Sequence, residues 1–225
     1  MTRATYAELG DACATAHGME LIGSRWTYPI LRELMLGPKR FSELLVTVRG
    51  ITPAVLTARL REMTTAGLIQ AVPPDEGYAL TEWATRLGPI LRDLGRWAQE
   101  APMQHAAGGL TPDAAVQAMI TMARRDTARA LGRLELHLRD DRVRADIDHT
   151  YRIRWNRRGL TAARGPYPKA TAMLHCDSTA WGRVLFATLP LQDSGAQMSG
   201  DPATVAGLLS CFETTVPLPS ARATS

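Results

Sequence analysis

Ile51-Thr52-Pro53-Ala54-Val55-Leu56-Thr57-Ala58-Arg59-Leu60-Arg61-Glu62-Met63 is the stretch whose reading decides the fold. Thr52 is a good N-cap, and Pro53 follows it at the first helical position, where a missing N–H costs nothing. Leu56, Leu60 and Met63 recur at helical spacing and form one apolar stripe, while Ile51 is placed to staple the helix entry. The other face carries Thr52, Ala54, Thr57 and Ala58, small enough to let a helix lie close to base edges, with Arg59 and Arg61 flanking them as longer donors. A small, polar, positively flanked face suits a DNA groove.

Before this helix, apolar residues at helical spacing predict one helix from Tyr6 to about Gly18 and a second capped by Ser24 and running through Trp26, Ile30, Leu31 and Leu34. Pro29 falls within the second helix, which Gly37 and Pro38 stop. A third helix begins near Arg40 and shows Phe41, Leu44, Leu45 and Val48 on one face. After Gly67, Leu68 to Val72 reads as a strand, Pro73 to Gly77 as a turn and Tyr78 to Leu80 as a returning strand. Thr81 then caps a long helix through Trp83, Leu87, Ile90, Leu91, Leu94 and Trp97. Three helices, a wing and a closing helix is the order of a winged helix. Its wing tip, Pro73-Pro74-Asp75-Glu76-Gly77, is acidic where a minor-groove wing would offer Arg or Lys. Recognition is therefore expected to rest on the helix at Thr52 and on phosphate contacts near Arg40.

Charge distribution says more than the net charge of +4. Residues 1–100 carry 11 basic and 11 acidic side chains, so the surplus lies in residues 101–225, with 15 and 11. Between Lys39 and Arg61, however, Lys39, Arg40, Arg49, Arg59 and Arg61 face one acid, Glu43, the local excess that phosphate neutralisation needs.

The run from Cys13 to Trp97 resembles the HxlR family of bacterial winged-helix regulators, relatives of MarR. The likeness is carried by Cys13, the Gly23–Trp26 turn, LRELMLGPKRFSEL, ITPAVLTARLREMTTAGLI and YALTEWATRLGPILRDLGRWA. It implies a homodimer whose terminal helices, Trp97 included, pair across a two-fold axis and set two reading helices into successive major grooves of a near-palindromic operator. Ala54 stands where relatives often carry a longer polar residue. Cys13 matches a position where some members sense oxidants or quinones through a thiolate. Its neighbours Asp11, Ala12 and Ala14 supply no positive charge to lower a thiol pKa. The three cysteines, Cys13, Cys176 and Cys211, are far apart and without CxxC spacing, and are expected as buried free thiols rather than a disulfide or zinc site.

The second half opens after a small-residue linker, residues 101–110. Thr111, Pro112 and Asp113 begin a helix through Val116, Met119 and Ile120; then the period changes to two. Leu134, Leu136 and Leu138 alternate with polar residues and are expected to form a hairpin, across Asp140-Asp141, with Val143, Ala145 and Ile147; Tyr151, Ile153 and Trp155 continue the alternation. A strand at Ala172–Cys176, a helix holding Trp181, Val184, Leu185 and Leu189, and a last helix opened by Asp201-Pro202 follow. The arginines of the polar strand face, Arg152, Arg154, Arg157 and Arg158, either bind an acidic ligand or DNA or form a solvated face pairing with Asp146 and Asp148. The tail, residues 214–225, with Pro217 and Pro219, is expected to be disordered.

This layout resembles the sterol-carrier-protein-like domain fused behind some actinobacterial winged helices, through LELHLRDDRVRADI, TAMLHCDSTAWGRVLF and MSGDPATVAGLLSCF. It covers residues 111–213 and implies an apolar cavity for a small ligand, lined by Tyr151, Ile153, Trp155, Trp181, Leu185 and Phe186; the same residues also suit a plain core.

The fold class expected is α+β: a winged helix over 1–100, then an α/β sandwich-like domain whose antiparallel sheet is covered by helices. The five histidines lack metal-site spacing, and GxSxG, phosphate-loop and dinucleotide motifs are missing, so no enzyme, metal or cofactor is implied. No leader or membrane span is evident, so a cytoplasmic protein is expected. The function expected is a ligand-modulated, sequence-specific regulator of transcription, most simply a repressor. The alternatives are a thiol switch at Cys13, or a lipid or metabolite carrier whose winged helix only dimerises.

Overall fold

The computed structural model describes residues 6, 8–73, 77–101, 108–124, 131–143, 149–186 and 189–212. The chain divides into two compact units, Met1–Gly88 and Pro89–Ser225. An N-terminal winged helix is followed by an α/β unit with an open sheet flanked by helices, as the sequence leads one to expect.

The first unit contains α1 (Ala14–Ile22), α2 (Thr27–Leu34), α3 (Phe41–Thr47), α4 (Pro53–Thr65), β1 (Ile69–Val72), β2 (Gly77–Leu80) and α5 (Glu82–Thr85), and α6 (Leu87–Gln99) runs across the division. Leu56, Leu60 and Met63 of α4 are buried against Ile30, Leu31, Leu34, Leu44, Val48 and Ile51, which places the stripe read from the sequence at the centre of this core. β1 and β2 pair antiparallel from Ile69↔Leu80 to Val72↔Gly77. A bridge from Lys39 to Tyr78 ties the wing to the chain leading into α3.

Three helix boundaries differ from expectation. α1 begins at Ala14 rather than Tyr6, because Gly10 takes φ +81 and Asp11 turns its carboxylate onto the Cys13 N–H at 2.8 Å, halting any earlier helix. α2 begins at Thr27 after a turn in which the Thr27 N–H donates to the Ser24 carbonyl; Pro29 is then in the first turn, where no N–H is required. The closing helix breaks at Arg86, since the Pro89 ring would collide with the Thr85 carbonyl four residues earlier in a continuous helix.

The second unit holds α7 (Pro112–Met122), β3 (Gly132–Arg139), β4 (His149–Asn156), β5 (Gly159–Arg164), β6 (Ala172–Asp177), α8 (Ser178–Leu185), β7 (Gln197–Gly200) and α9 (Pro202–Leu209). The strand order is β5-β4-β3-β6-β7. Leu134, Leu136, Tyr151, Ile153, Trp155, Ala172 and Leu174 are buried together on the face that α7, α8 and α9 pack against. Gly132 is required opposite Trp155, because a Cβ there would lie 1.8 Å from the indole ring.

The sheet corrects two details of the sequence reading. It is not antiparallel throughout, since β3 and β6 run parallel at its centre. The partner of β3 is not a strand begun at Val143 but β4, joined from Leu138↔His149 to Gly132↔Trp155. Residues 144–148, with Asp146 and Asp148, lie outside the described residues, as do most of the linker and the expected tail. α8 stops at Leu185, so Leu189 is not part of it.

Candidate nucleic-acid interface

α4 is shaped at its start by the Thr52 side chain, which accepts the Val55 N–H at 3.4 Å. Ala54, Ala58 and Arg61 are exposed in steps of four and three residues, Thr57 is half-buried beside them, and the buried stripe occupies the other side. The Thr57 hydroxyl donates to the Pro53 carbonyl at 2.9 Å, so toward solvent it offers lone pairs and a methyl group. Arg61 is exposed and has no ion-pair partner among the described residues. Arg59 is folded down, with Nη1 2.5 Å from the Glu62 carboxylate and Nε buried. The two arginines read as equivalent donors are thus different: one free, one held.

Arg40 is exposed at the start of α3, where its backbone N–H donates to the Glu43 carboxylate at 2.7 Å. Arg49 is exposed as well. Lys39 is not part of this cationic surface. Its ammonium is buried 2.5 Å from the equally buried Glu33 carboxylate, while its backbone exchanges hydrogen bonds with Tyr78. The positive surface around α4 therefore consists of Arg40, Arg49 and Arg61, with Arg59 partly neutralised. Pro74, Asp75 and Glu76 of the acidic wing tip lie outside the described residues.

Cys13 departs most from expectation. It is exposed at the N-cap of α1, whereas Cys176 and Cys211 are buried. Its thiol makes no cap hydrogen bond, but the backbone N–H groups of Ala16 and, to a lesser degree, Thr15 hold its pKa below the usual thiol value. Burial moves the Cys176 thiol the other way. A helix start supplies here the positive field that no neighbouring side chain provides.

Ile90, Leu94 and Trp97 recur on one face of α6 and are exposed, Trp97 to 71 %. In the second unit Tyr151, Ile153, Trp155, Trp181 and Leu185 are buried and Phe186 is half-buried. The Tyr151 hydroxyl donates to Asp113 at 2.6 Å, and Trp181 Nε1 donates to Met119 Sδ at 3.2 Å. Asp113 also pairs with Arg164. Sequence reasoning missed this carboxylate, because its position after Thr111-Pro112 marks it as an ordinary first-turn acid.

The profile of the HxlR-like helix-turn-helix family matches residues 21–106. YkvN of Bacillus subtilis strain 168, an uncharacterized HTH-type transcriptional regulator, is 37 % identical over 103 residues, which is 44 % of this chain and 87 % of YkvN. YodB of the same organism, an HTH-type transcriptional regulator, is 33 % identical over 85 residues, 36 % of this chain and 76 % of YodB. Among solved structures, quinone-bound YodB from B. subtilis has 31 % identity and a TM-score of 0.37, covering 39 % of this chain and 97 % of that one.

Proposed function

Because the chain belongs to the HxlR-like helix-turn-helix family of DNA-binding transcription regulators, we propose that it is a homodimeric regulator, most simply a repressor, whose hold on a near-palindromic operator is set by the state of Cys13. The observation that carries this reading is the exposed Cys13 at the start of α1, its pKa lowered by backbone N–H groups. More of it is thiolate at neutral pH than in an ordinary cysteine, and the thiolate is the form that attacks oxidants and soft electrophiles. The exposed α6 stripe of Ile90, Leu94 and Trp97 supports dimerisation, since an isolated monomer has no reason to leave it in water.

α4 enters the major groove in this reading, with Arg61 as its principal donor and Thr52, Ala54 and Thr57 against the base edges, while Arg40 holds a phosphate. Arg61→Ala should weaken operator binding by roughly 1–3 kcal/mol. Arg59→Ala should cost less, because Arg59 must first leave Glu62. Mobility shifts with the gene's own upstream region measure both; equal affinities for wild type and Arg61→Ala would remove Arg61 from the interface.

The thiol switch has its own test. Treatment with diamide in the presence of glutathione, which joins Cys13 to glutathione as a mixed disulfide while diamide takes up the two thiol hydrogens, should change operator affinity at least about tenfold in the wild type and leave Cys13→Ser unchanged. The direction of the pKa shift fixes the sign of the pH profile. The rate of Cys13 alkylation by iodoacetamide should reach half its maximum at a lower pH than for the thiol of an unstructured cysteine peptide under the same conditions, and fall as pH drops through that midpoint. A midpoint at or above that of the peptide thiol, or a Cys13→Ser protein that still responds, rejects the switch.

For the second unit we infer an effector-holding role of the sterol-carrier-protein-like kind, supported by the order of helix, sheet, helix, strand and helix. The thiol reading is preferred as the source of regulation, since the residues expected to line a cavity are packed in the core with the polar atoms of Tyr151 and Trp181 already bonded.

A further inference from the structure

We propose that the outer face of the five-stranded sheet is a second DNA contact, in which Arg133, Arg152, Arg154, Arg157 and Arg158 neutralise backbone phosphates. The inference rests on the regulator reading above and adds a surface to it.

Alternation along β3 and β4 creates this face. Leu134, Leu136, Tyr151, Ile153 and Trp155 turn into the core, so Arg133, Arg152 and Arg154 emerge on the side away from the helices. The register sets Arg133 directly opposite Arg154. Like charges directly opposite each other destabilise a sheet, so folding alone gives no reason for the pair, whereas a bound polyanion does. Arg157 and Arg158 extend the charge at the exposed turn between β4 and β5, held by the Arg158 N–H donating to Asn156 at 2.7 Å. Arg152 donates to the Arg164 carbonyl at 2.9 Å, a neutral acceptor.

Among the described residues, the acids nearest this face have other partners. Glu135, across from Arg152, accepts from the Tyr167 N–H and lies 2.8 Å from His137 Nε2. Asp141 is taken by Arg139 at 2.6 Å. Among the described residues no carboxylate forms an ion pair with any of the five arginines. The charge balance of the chain gives the arrangement a purpose. Residues 1–100 carry no net charge, and with Lys39 withdrawn into the core the exposed cations around α4 are Arg40, Arg49 and Arg61. The surplus of four positive charges lies in residues 101–225. Arg152 and Arg154 stand about 6.6 Å apart along a strand, a spacing suited to contacts along a sugar-phosphate backbone.

The test uses the full chain and the triple variant Arg152→Gln, Arg154→Gln, Arg158→Gln, all three exposed positions, with circular dichroism confirming the fold. Binding is followed by fluorescence anisotropy on two duplexes of about 30 bp, one from the gene's upstream region and one of scrambled sequence, between about 50 and 200 mM salt. At about 0.9 per phosphate, the slope of log K against log salt should be shallower by about 2.7, so the affinity lost across that salt range shrinks about 40-fold. Both duplexes should weaken together, leaving sequence preference unchanged. An unchanged slope overturns the proposal, and so does weakening confined to the upstream duplex. Loss of binding to anionic lipid vesicles without any change on DNA also overturns it, in favour of a membrane partner. Wild-type protein that binds both duplexes equally would sink the operator reading, while a shallower variant slope would still support this surface.

Discussion

Glu33→Ala is expected to destabilise the first unit by about 3–5 kcal/mol, a large part of the roughly 5–15 kcal/mol that holds a domain folded. Glu33 and Lys39 are both fully buried, with Lys39 Nζ 2.5 Å from Glu33 Oε2, and Arg32 Nη2 approaches the other carboxylate oxygen at 3.3 Å. The Lys39 backbone is paired with Tyr78 of the wing in both directions, which fixes its Cα under that cover. Removing the carboxylate takes from the buried ammonium its partner at 2.5 Å, so its desolvation is less well offset. The double variant Glu33→Gln, Lys39→Met should recover much of the loss, since neither remaining side chain carries a charge. Urea unfolding followed by circular dichroism measures both, with the two units treated as separate transitions. A Glu33→Ala shift under about 1 kcal/mol would show that the buried pair is not what holds the wing to α2.

That pair also marks how far linear reading reaches. The α4 helix was legible because cap, first-turn proline and apolar stripe all occur within Thr52–Met63 and agree with one another. In the sequence Lys39 stands beside Arg40 and close to Arg49, as one more DNA-facing cation; only the fold brings Glu33 to it from the preceding helix. Arg59 was likewise counted as free, although Glu62 follows one turn later and holds it. Leu9, Ala12, Cys13 and Ala16 imitate a helical stripe, and a helix drawn through them buries the thiol in mid-helix and hides the N-terminus that lowers its pKa. In the second unit alternation revealed which residues face the core but not which strands are neighbours. A period of two is the same for parallel and antiparallel pairing, so the parallel β3 and β6 pair and the Asp113–Tyr151–Arg164 network had no local signature.

Gly77→Ala is the second large effect, and it joins stability to the interface. Gly77 opens β2 with φ +92, a conformation that costs a side-chain-bearing residue about 1–3 kcal/mol. A Cβ there would also lie 2.1 Å from the Lys39 carbonyl oxygen and 2.6 Å from the Arg40 Cα, and these are backbone atoms that cannot rotate away. Relief requires β2 to move off the Lys39–Tyr78 bridge, which loosens the cover over the buried ammonium and shifts the chain that presents Arg40. The total is expected near 3 kcal/mol or above, strain and overpacking acting together. Gly67→Ala is the control. Its φ is +71 but nothing lies within 4 Å of the added carbon, so it should show the backbone strain alone, about 1 kcal/mol. The excess of Gly77→Ala over Gly67→Ala in unfolding free energy then isolates the close approach of wing and α3. In operator binding under conditions where both variants are folded, Gly77→Ala should lose affinity through the displaced Arg40 and Gly67→Ala should not. Equal stabilities for the two variants would mean that the wing can give way at no cost, and that its contact with Lys39 does not position Arg40.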